Sequence, residues 1–249
     1  MKTSKLLVMT TFMMMAGMVS AQQFSGKATY IEDYTKMAKK EIAAAEAQLS
    51  QLSPEQRMSI MQALENDAKM EMELRFNNEA ALYAAPDRID LNTSQENTGI
   101  NVVVSVEGTM AHYCNVKTGK VVTQEVLANR EFLVEDKIKT CEWQLHPETK
   151  TIGRFQANKA TTAKDSAVIT AWYTTDIPVN TGPRGFNGLP GLILEVSAGD
   201  SQILFQDVVL NNSYATISPP RQGKKMSREK FEKMAEKHKR ESVTIIEND

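Results

Sequence analysis

Four side chains raise the question of chemistry in this 249-residue chain: His112 and Cys114, two residues apart, and Cys141 and His146, five apart. Thiolate and imidazole are the ligands that soft and borderline metals prefer, and a spacing of two on a strand puts His112 and Cys114 on one face. Four such groups could converge on a metal. The bland alternatives are simpler. The chain has only two cysteines, an even number, and in an exported protein the default is a Cys114–Cys141 disulfide, contributing roughly 3 to 4 kcal/mol in the chain-entropy account. Two separate buried thiols are the other reading. His146 precedes Pro147 and reads as a turn residue, and His238 as a solvated helix position. No metal and no cofactor is assigned.

A second group of side chains could bind rather than react. Trp172 and Tyr173 point to opposite faces of a strand, so one enters the core while the other is free to line a surface or cavity. Asp176, Arg184 and Asn187 flank a proline-rich loop, and Phe186 lies among them. These polar groups either hold a ligand or satisfy loop backbone. Together Trp172, Tyr173, Asp176, Arg184, Phe186 and Asn187 are the candidate ligand-contacting set. The segment that follows, Gly188-Leu189-Pro190-Gly191-Leu192-Ile193, supplies no nucleophile, acid-base pair or metal ligand. Its proline and glycine suit the central positions of a type II turn over residues 189–192, with Gly191 at positive φ. A buried strand follows. The chain has no Gly-x-Ser-x-Gly elbow, Walker loop or His-Glu-x-x-His, and its three histidines fall on three different elements. No catalytic residue is assigned.

The elements that must position these groups begin after a leader. Residues 1–21 have a basic start, an apolar core and small residues at Val19-Ser20-Ala21, the pattern of a secretory signal cleaved near Ala21. No later window has the eighteen apolar residues of a membrane span. Removing Lys2 and Lys5 from the 29 basic residues, with the 31 acidic ones unchanged, takes the formal charge from −2 to −4. That balance gives no electrostatic case for nucleic acid. The expectation is a periplasmic or secreted chain with one domain over residues 22–249.

Within that domain a strand at 24–31 gives way to helical spacing. Ala38, Ile42, Ala45 and Leu49 form one stripe, and Ser53-Pro54-Glu55-Gln56 is a capping box opening a second helix with Met58, Met61, Leu64 and Ala68 on its apolar side. This predicts a helical hairpin over 33–69. From Met70 the period drops to two, and strands are expected at 70–76, 80–84, 100–106, 109–116, 121–126, 131–135, 142–145, 151–157, 167–174, 192–197 and 202–209. Turns fall between them, including one at His146-Pro147-Glu148. Pro219 to Gly223 breaks the pattern before a helix over 227–240 with Phe231, Met234 and His238 on one side, followed by an acidic tail. Fold class is α+β: a curved antiparallel sheet, half-barrel-like, with the hairpin packed on it and a C-terminal helix.

Residues 152–196 resemble the GLPGLI proteins, secreted and functionally uncharacterised proteins of the Bacteroidetes. The resemblance rests on Ala171-Trp172-Tyr173-Thr174, Ile177-Pro178, Gly182-Pro183 and Phe186 with Gly188 through Leu194, in order and spacing. Where that family often carries a cysteine, this chain has Ala157-Asn158-Lys159-Ala160. The resemblance implies a bacterial cell-envelope location and no known catalytic or binding residue. Two partner classes follow: an apolar small ligand held in a groove near Trp172 or Tyr173 and the Phe186 loop, or an outer-membrane protein on which the chain docks as an accessory subunit. A metal-dependent hydrolase is the third reading. Asn92-Thr93-Ser94, Asn211-Asn212-Ser213 and Asp165-Ser166-Ala167 match sugar-acceptor patterns.

Overall fold

The computed structural model describes residues 24–44, 46–86, 108–164, 167–211, 214 and 216–246. The leader, the strand expected at 100–106 and the sugar-acceptor triplets lie wholly or partly outside them. In chain order the elements are β1 (Gly26–Asp33), α1 (Thr35–Ala44), α2 (Glu46–Leu49), α3 (Pro54–Asp67), β2 (Lys69–Phe76), β3 (Ala80–Ala84), β4 (Gly108–Asn115), β5 (Lys120–Leu127) and β6 (Arg130–Lys137). Then follow β7 (Gln144–Ile152), β8 (Phe155–Lys164), β9 (Ala167–Thr174), β10 (Leu192–Ala198), β11 (Ser201–Leu210), β12 (Lys224–Ser227) and α4 (Arg228–Ile246). All twelve described strands join one sheet, ordered β12-β6-β5-β4-β3-β2-β1-β11-β10-β9-β8-β7.

Connectivity forces this sheet to curl. Ten steps separate β6 from β7, and laid flat at about 4.8 Å each they would span about 48 Å. The chain joins the two strands through residues 138–143, a link that reaches about 25 Å at full extension. The two ends of the sheet are therefore brought toward each other around an inner face.

Alternation fills that face as expected: Met72, Leu74 and Phe76 are buried while Glu73 and Arg75 pair on the other side with each other, Glu73 also taking Lys27. Ala28, Tyr30 and Tyr83 join them, with Tyr30 edge-on to Tyr83 and to Phe205 at 6.0 Å each. Removing these aromatic and aliphatic side chains from water stabilises the core, and the edge-on ring pairs add to it.

A segment other than the expected hairpin covers the inner face. The helical hairpin forms, with its capping box at Ser53 and Gln56, and its main contacts with the sheet are to β2 and β11. Met58 is 68% exposed and Met61 also faces water, whereas Leu49 and Ala68 are buried, so the hairpin packs through part of its apolar stripe. A strap of residues 175–191 lies there, its Ile177, Val179 and Leu189 buried among the core residues of the sheet.

Other boundaries moved for local reasons. His146-Pro147-Glu148 is not a turn but sits inside edge strand β7, at a register shift between Leu145 and Thr149, where a proline removes no needed ladder bond. The turn is at Gly153-Arg154, so the two strands expected at 142–145 and 151–157 become the longer β7–β8 hairpin. After the proline break, β12 pairs with β6 in parallel, the one departure from an antiparallel ladder among the described strands. The last helix runs to Ile246 instead of fraying from residue 241, anchored by Phe231 edge-on to Phe132 at 5.8 Å.

Candidate functional site

The glycine-proline segment is built for close approach. Gly191 does not take the positive φ that a type II turn requires; Gly185 and Gly188 do, at 76° and 97°. A Cβ on Gly191 would lie 1.9 Å from the Thr174 carbonyl oxygen, so only glycine lets the strap re-enter the sheet beside β9. Leu192 N–H then donates to the Ile177 carbonyl at 2.9 Å and closes the strap on itself. Leu192, Ile193 and Leu194 are all fully buried because a bulge between Ile193 and Glu195 interrupts the two-residue alternation.

At its middle the strap crosses a buried carboxylate. Glu32, 1% exposed on β1, accepts from Arg184 Nε and Nη2 at 2.6 Å each, from Tyr34 Oη at 2.8 Å and from Tyr83 Oη at 2.9 Å. Burial by itself would raise the Glu32 carboxyl; the guanidinium and the two hydroxyls outweigh it and hold it below the usual carboxylate range. Burial and the same carboxylate push Tyr34 up to about 12. Arg184 holds this position with φ at 50°, a left-handed conformation that costs a non-glycine residue roughly 1 to 2 kcal/mol. Next to it, Gly185 packs so tightly on His112 that a Cβ would fall 2.1 Å from the imidazole Cε1.

Beyond this crossing lies a cleft of about 1040 Å³. One side is β4 and β5, which contribute His112, Thr123 and Glu125, together with Arg228 from the start of α4. The other side is β9, β10 and β11, with Ile169, Val196 and Ile203. Phe186 and Asn187 of the strap, the end of β6 and the β6–β7 connection (residues 136–142) also line it. Glu125 is buried and accepts from Thr109 Oγ1 at 2.7 Å, Thr123 Oγ1 at 2.8 Å and both terminal nitrogens of Arg228 at 3.2 Å. Arg228 Nε lies 3.8 Å from Asp136. Desolvation pushes the His112 imidazole down to about 4, against the pull of nearby Glu125, so the ring is neutral at pH 7.

The six candidate ligand residues therefore separate. Arg184, Phe186 and Asn187 line the cleft. Asn187 also fastens the strap: its amide donates to the Lys139 and Gly185 carbonyls, and its own carbonyl accepts from Trp143 Nε1 at 2.7 Å. Tyr173 is a core residue and Asp176 is exposed at the strap's start, neither among the lining. Trp172 lies outside the cleft as well, under the Lys150 ammonium at 4.5 Å from its ring centroid, where Lys150 also pairs with Glu195. The groove is thus mixed in polarity rather than apolar, and it adjoins Phe186 without Trp172 or Tyr173.

His112, Cys114 and Cys141 line this one cleft, whereas His146 bonds Thr161 Oγ1 at 2.7 Å and is not part of it. The disulfide expected between Cys114 and Cys141 is not formed in this structure; both are free thiols. Cys114 is buried, and desolvation raises its thiol above the ordinary range.

Sequence reasoning missed Glu32, Glu125 and Arg228. The signal was present for two of them. Ala28, Tyr30 and Glu32 share one parity on β1, and Val121, Thr123 and Glu125 share one on β5, so each carboxylate continues an inward-facing series and demands a partner. The partners, Arg184 and Arg228, lie 152 and 103 residues away, which no local pattern specifies.

A family profile described as "Protein of unknown function (Porph_ging)" matches residues 162–195. No curated protein matches the sequence significantly. Among solved structures, PNGF-II in its C2 and P21 crystal forms is similar over 86% of this chain, with TM-scores of 0.51 and 0.52 and 15% identity in each case. The chain spans about a third of PNGF-II, 33% and 34% of the two chains. At that identity the likeness shows fold alone.

Proposed function

We propose that this chain is an exported, non-enzymatic binding protein of the cell envelope that holds its ligand inside the curl of its sheet. The cleft of about 1040 Å³ between β4–β5 and β9–β11 is the observation that carries this reading, since its size is that of small-molecule sites, about 300 to 1,000 Å³. Rigid surroundings add support. The strap that walls the cleft is fastened at Glu32, at Trp143 and through buried Ile177 and Leu189, so the site is formed before any ligand arrives.

A binder is favoured over a hydrolase by the state of the acidic groups. The buried carboxylates Glu32 and Glu125 are each locked to a guanidinium, whereas acid-base catalysis needs one poised to exchange a proton. Export, to the periplasm or beyond, is inferred from the leader pattern at residues 1–21; in the described residues no helix is long and apolar enough to cross a membrane. The overlap of the matched stretch 162–195 with the motif-bearing segment 152–196 supports counting the chain with the GLPGLI proteins. A single sheet with strands drawn from Gly26 to Ser227 supports one domain.

Native mass spectrometry of the chain isolated from its own cell envelope tests the reading. The expected result is a second population heavier by one small molecule, which disappears when Ala198→Trp obstructs the cleft. Recovery of the chain mass alone, from every preparation, would remove the reading. A docking role has one observation in its favour: Met37, Met58 and Met61 are all exposed on the helical hairpin. Co-purification of a stoichiometric protein partner, lost on Met58→Lys with Met61→Lys, would favour it.

A further inference from the structure

We infer that the cleft takes an amphiphile with an uncharged, hydrogen-bonding head group, its apolar chain against β9–β11 and its head against β4–β5 and the start of α4. This rests on the binding reading above and adds the chemical class of the ligand. The two sides of the cleft differ in kind. On one side Ile169, Val196, Ala198 and Ile203 make the larger part of the lining, with the polar Ser201 and Gln202 at the start of β11 and Thr162 near the end of β8. Thr109, His112, Thr123, Glu125 and Arg228 offer hydroxyl, imidazole, carboxylate and guanidinium on the other. Strands four or more places apart in the sheet meet here because the sheet curls, so a ligand bridging the cleft touches both kinds of surface at once.

The head group's charge follows from what the fixed charges already do. Arg184 is held bidentately by Glu32. Arg228 gives both terminal nitrogens to Glu125, donates from Nη2 to Thr123 Oγ1 at 2.7 Å and lies beside Asp136. The other charged lining groups, Lys137, Lys139, Glu142 and Glu232, are solvent-exposed and evenly split in sign. An anionic head would find no unpaired guanidinium, and a cationic head no unpaired buried carboxylate. Either would lose its hydration without a compensating charge, a penalty that in protein interiors runs to several kcal/mol. A hydroxyl or amide head loses far less and can use the remaining lone pair of Glu125 Oε2, the His112 ring, which offers one donor and one acceptor, and unshared Arg228 N–H groups.

The test holds the apolar chain constant and changes the head. Titration calorimetry of the leader-free chain is carried out with 1-dodecanoylglycerol, dodecanoate and dodecylammonium, each below its aggregation concentration. The glycerol ester is expected to bind with one-to-one stoichiometry and at least about tenfold more tightly than either ion, a ratio of about 1.4 kcal/mol. Glu125→Gln strips Arg228 of its carboxylate and should raise dodecanoate affinity at least about tenfold while weakening the ester. Asp136→Asn, at the more exposed partner of the same guanidinium, should move affinities the same way to a smaller extent and serves if Glu125→Gln does not fold. Equal or tighter binding of dodecanoate by the parent chain would overturn the head-group inference and leave the cleft a binding site. Binding of none of the three would overturn the amphiphile itself, independently of whether another ligand mass accompanies the chain from its source.

Discussion

Replacing Arg184 by methionine isolates the contact that pins the strap to the sheet. The side chain keeps its length and apolar stem, so the loss is the guanidinium, which makes two 2.6 Å bonds to a carboxylate that is 1% exposed. Breaking a buried pair by removing one partner costs about 3 to 5 kcal/mol. Arg184 is itself 43% exposed, so water screens part of the interaction and about 2 to 3 kcal/mol is the working figure. For a chain of this size that lowers Tm by roughly 4 to 12 °C. The pH dependence gives an independent check. In the parent chain the folded Glu32 carboxyl lies below its ordinary value, so its contribution is complete above the unfolded pKa and is lost as pH falls through the folded one. Without Arg184, burial dominates, the folded pKa moves above the unfolded value, and protonation favours the folded state. The gap between variant and parent should therefore narrow as pH falls from 7 toward 4. The double variant Glu32→Gln with Arg184→Met removes the charge along with its partner and should recover most of the loss. Thermal melts of parent, both single variants and the double variant decide it. A deficit under about 1 kcal/mol at pH 7, or one that widens on acidification, would refute this account of the strap.

Three further outcomes are expected. The His112 ring, neutral and held near 4 by burial, should show no chemical-shift titration by NMR between pH 8 and 5.5; its stabilising contribution is complete above about 6.5 and falls away toward 4. A midpoint near 6.5 would mean the cleft is open to water at that point. Gly191→Ala, whose Cβ would meet the Thr174 carbonyl at 1.9 Å, should cost at least about 3 kcal/mol in denaturant unfolding, against about 1 kcal/mol for Gly199→Ala, which has positive φ but open space. Comparable losses at the two sites would contradict close approach as the role of Gly191. Maleimide labelling of the native, reduced chain should modify half-buried Cys141 well before buried Cys114; equal rates without unfolding would place Cys114 at the surface.

Local chemistry made much of the architecture readable. The capping box at Ser53, the alternation from Met70 to Phe76 and the strands 80–84 and 167–174 depend on neighbours within a few residues, and they stand as read. Errors arose where a local signal had two physical meanings. Pro147 breaks a central strand but is tolerated at a bulge on an edge, and which strand lies at the edge is a property of sheet order. Gly191 reads equally as a positive-φ glycine or as one that admits a neighbouring carbonyl, and only the position of Thr174 separates the two. Met58 and Met61 have helical spacing, yet both stay exposed while residues of the strap are buried against the sheet's core.

Short-range chemistry was enough to mark most of the described strands from Lys69 to Leu210 as antiparallel neighbours and to group Arg184, Phe186 and Asn187 on a constrained loop, because period, propensity and turn chemistry act over short spans. Long-range geometry was needed to carry the loop across the inner face, to give Glu32 and Glu125 each an arginine more than a hundred residues away, and to leave Trp172 outside the cleft. Those outcomes follow from the curl of the sheet. A short link between β6 and β7 brings distant strands face to face, and a buried carboxylate must then take whichever cation that geometry delivers.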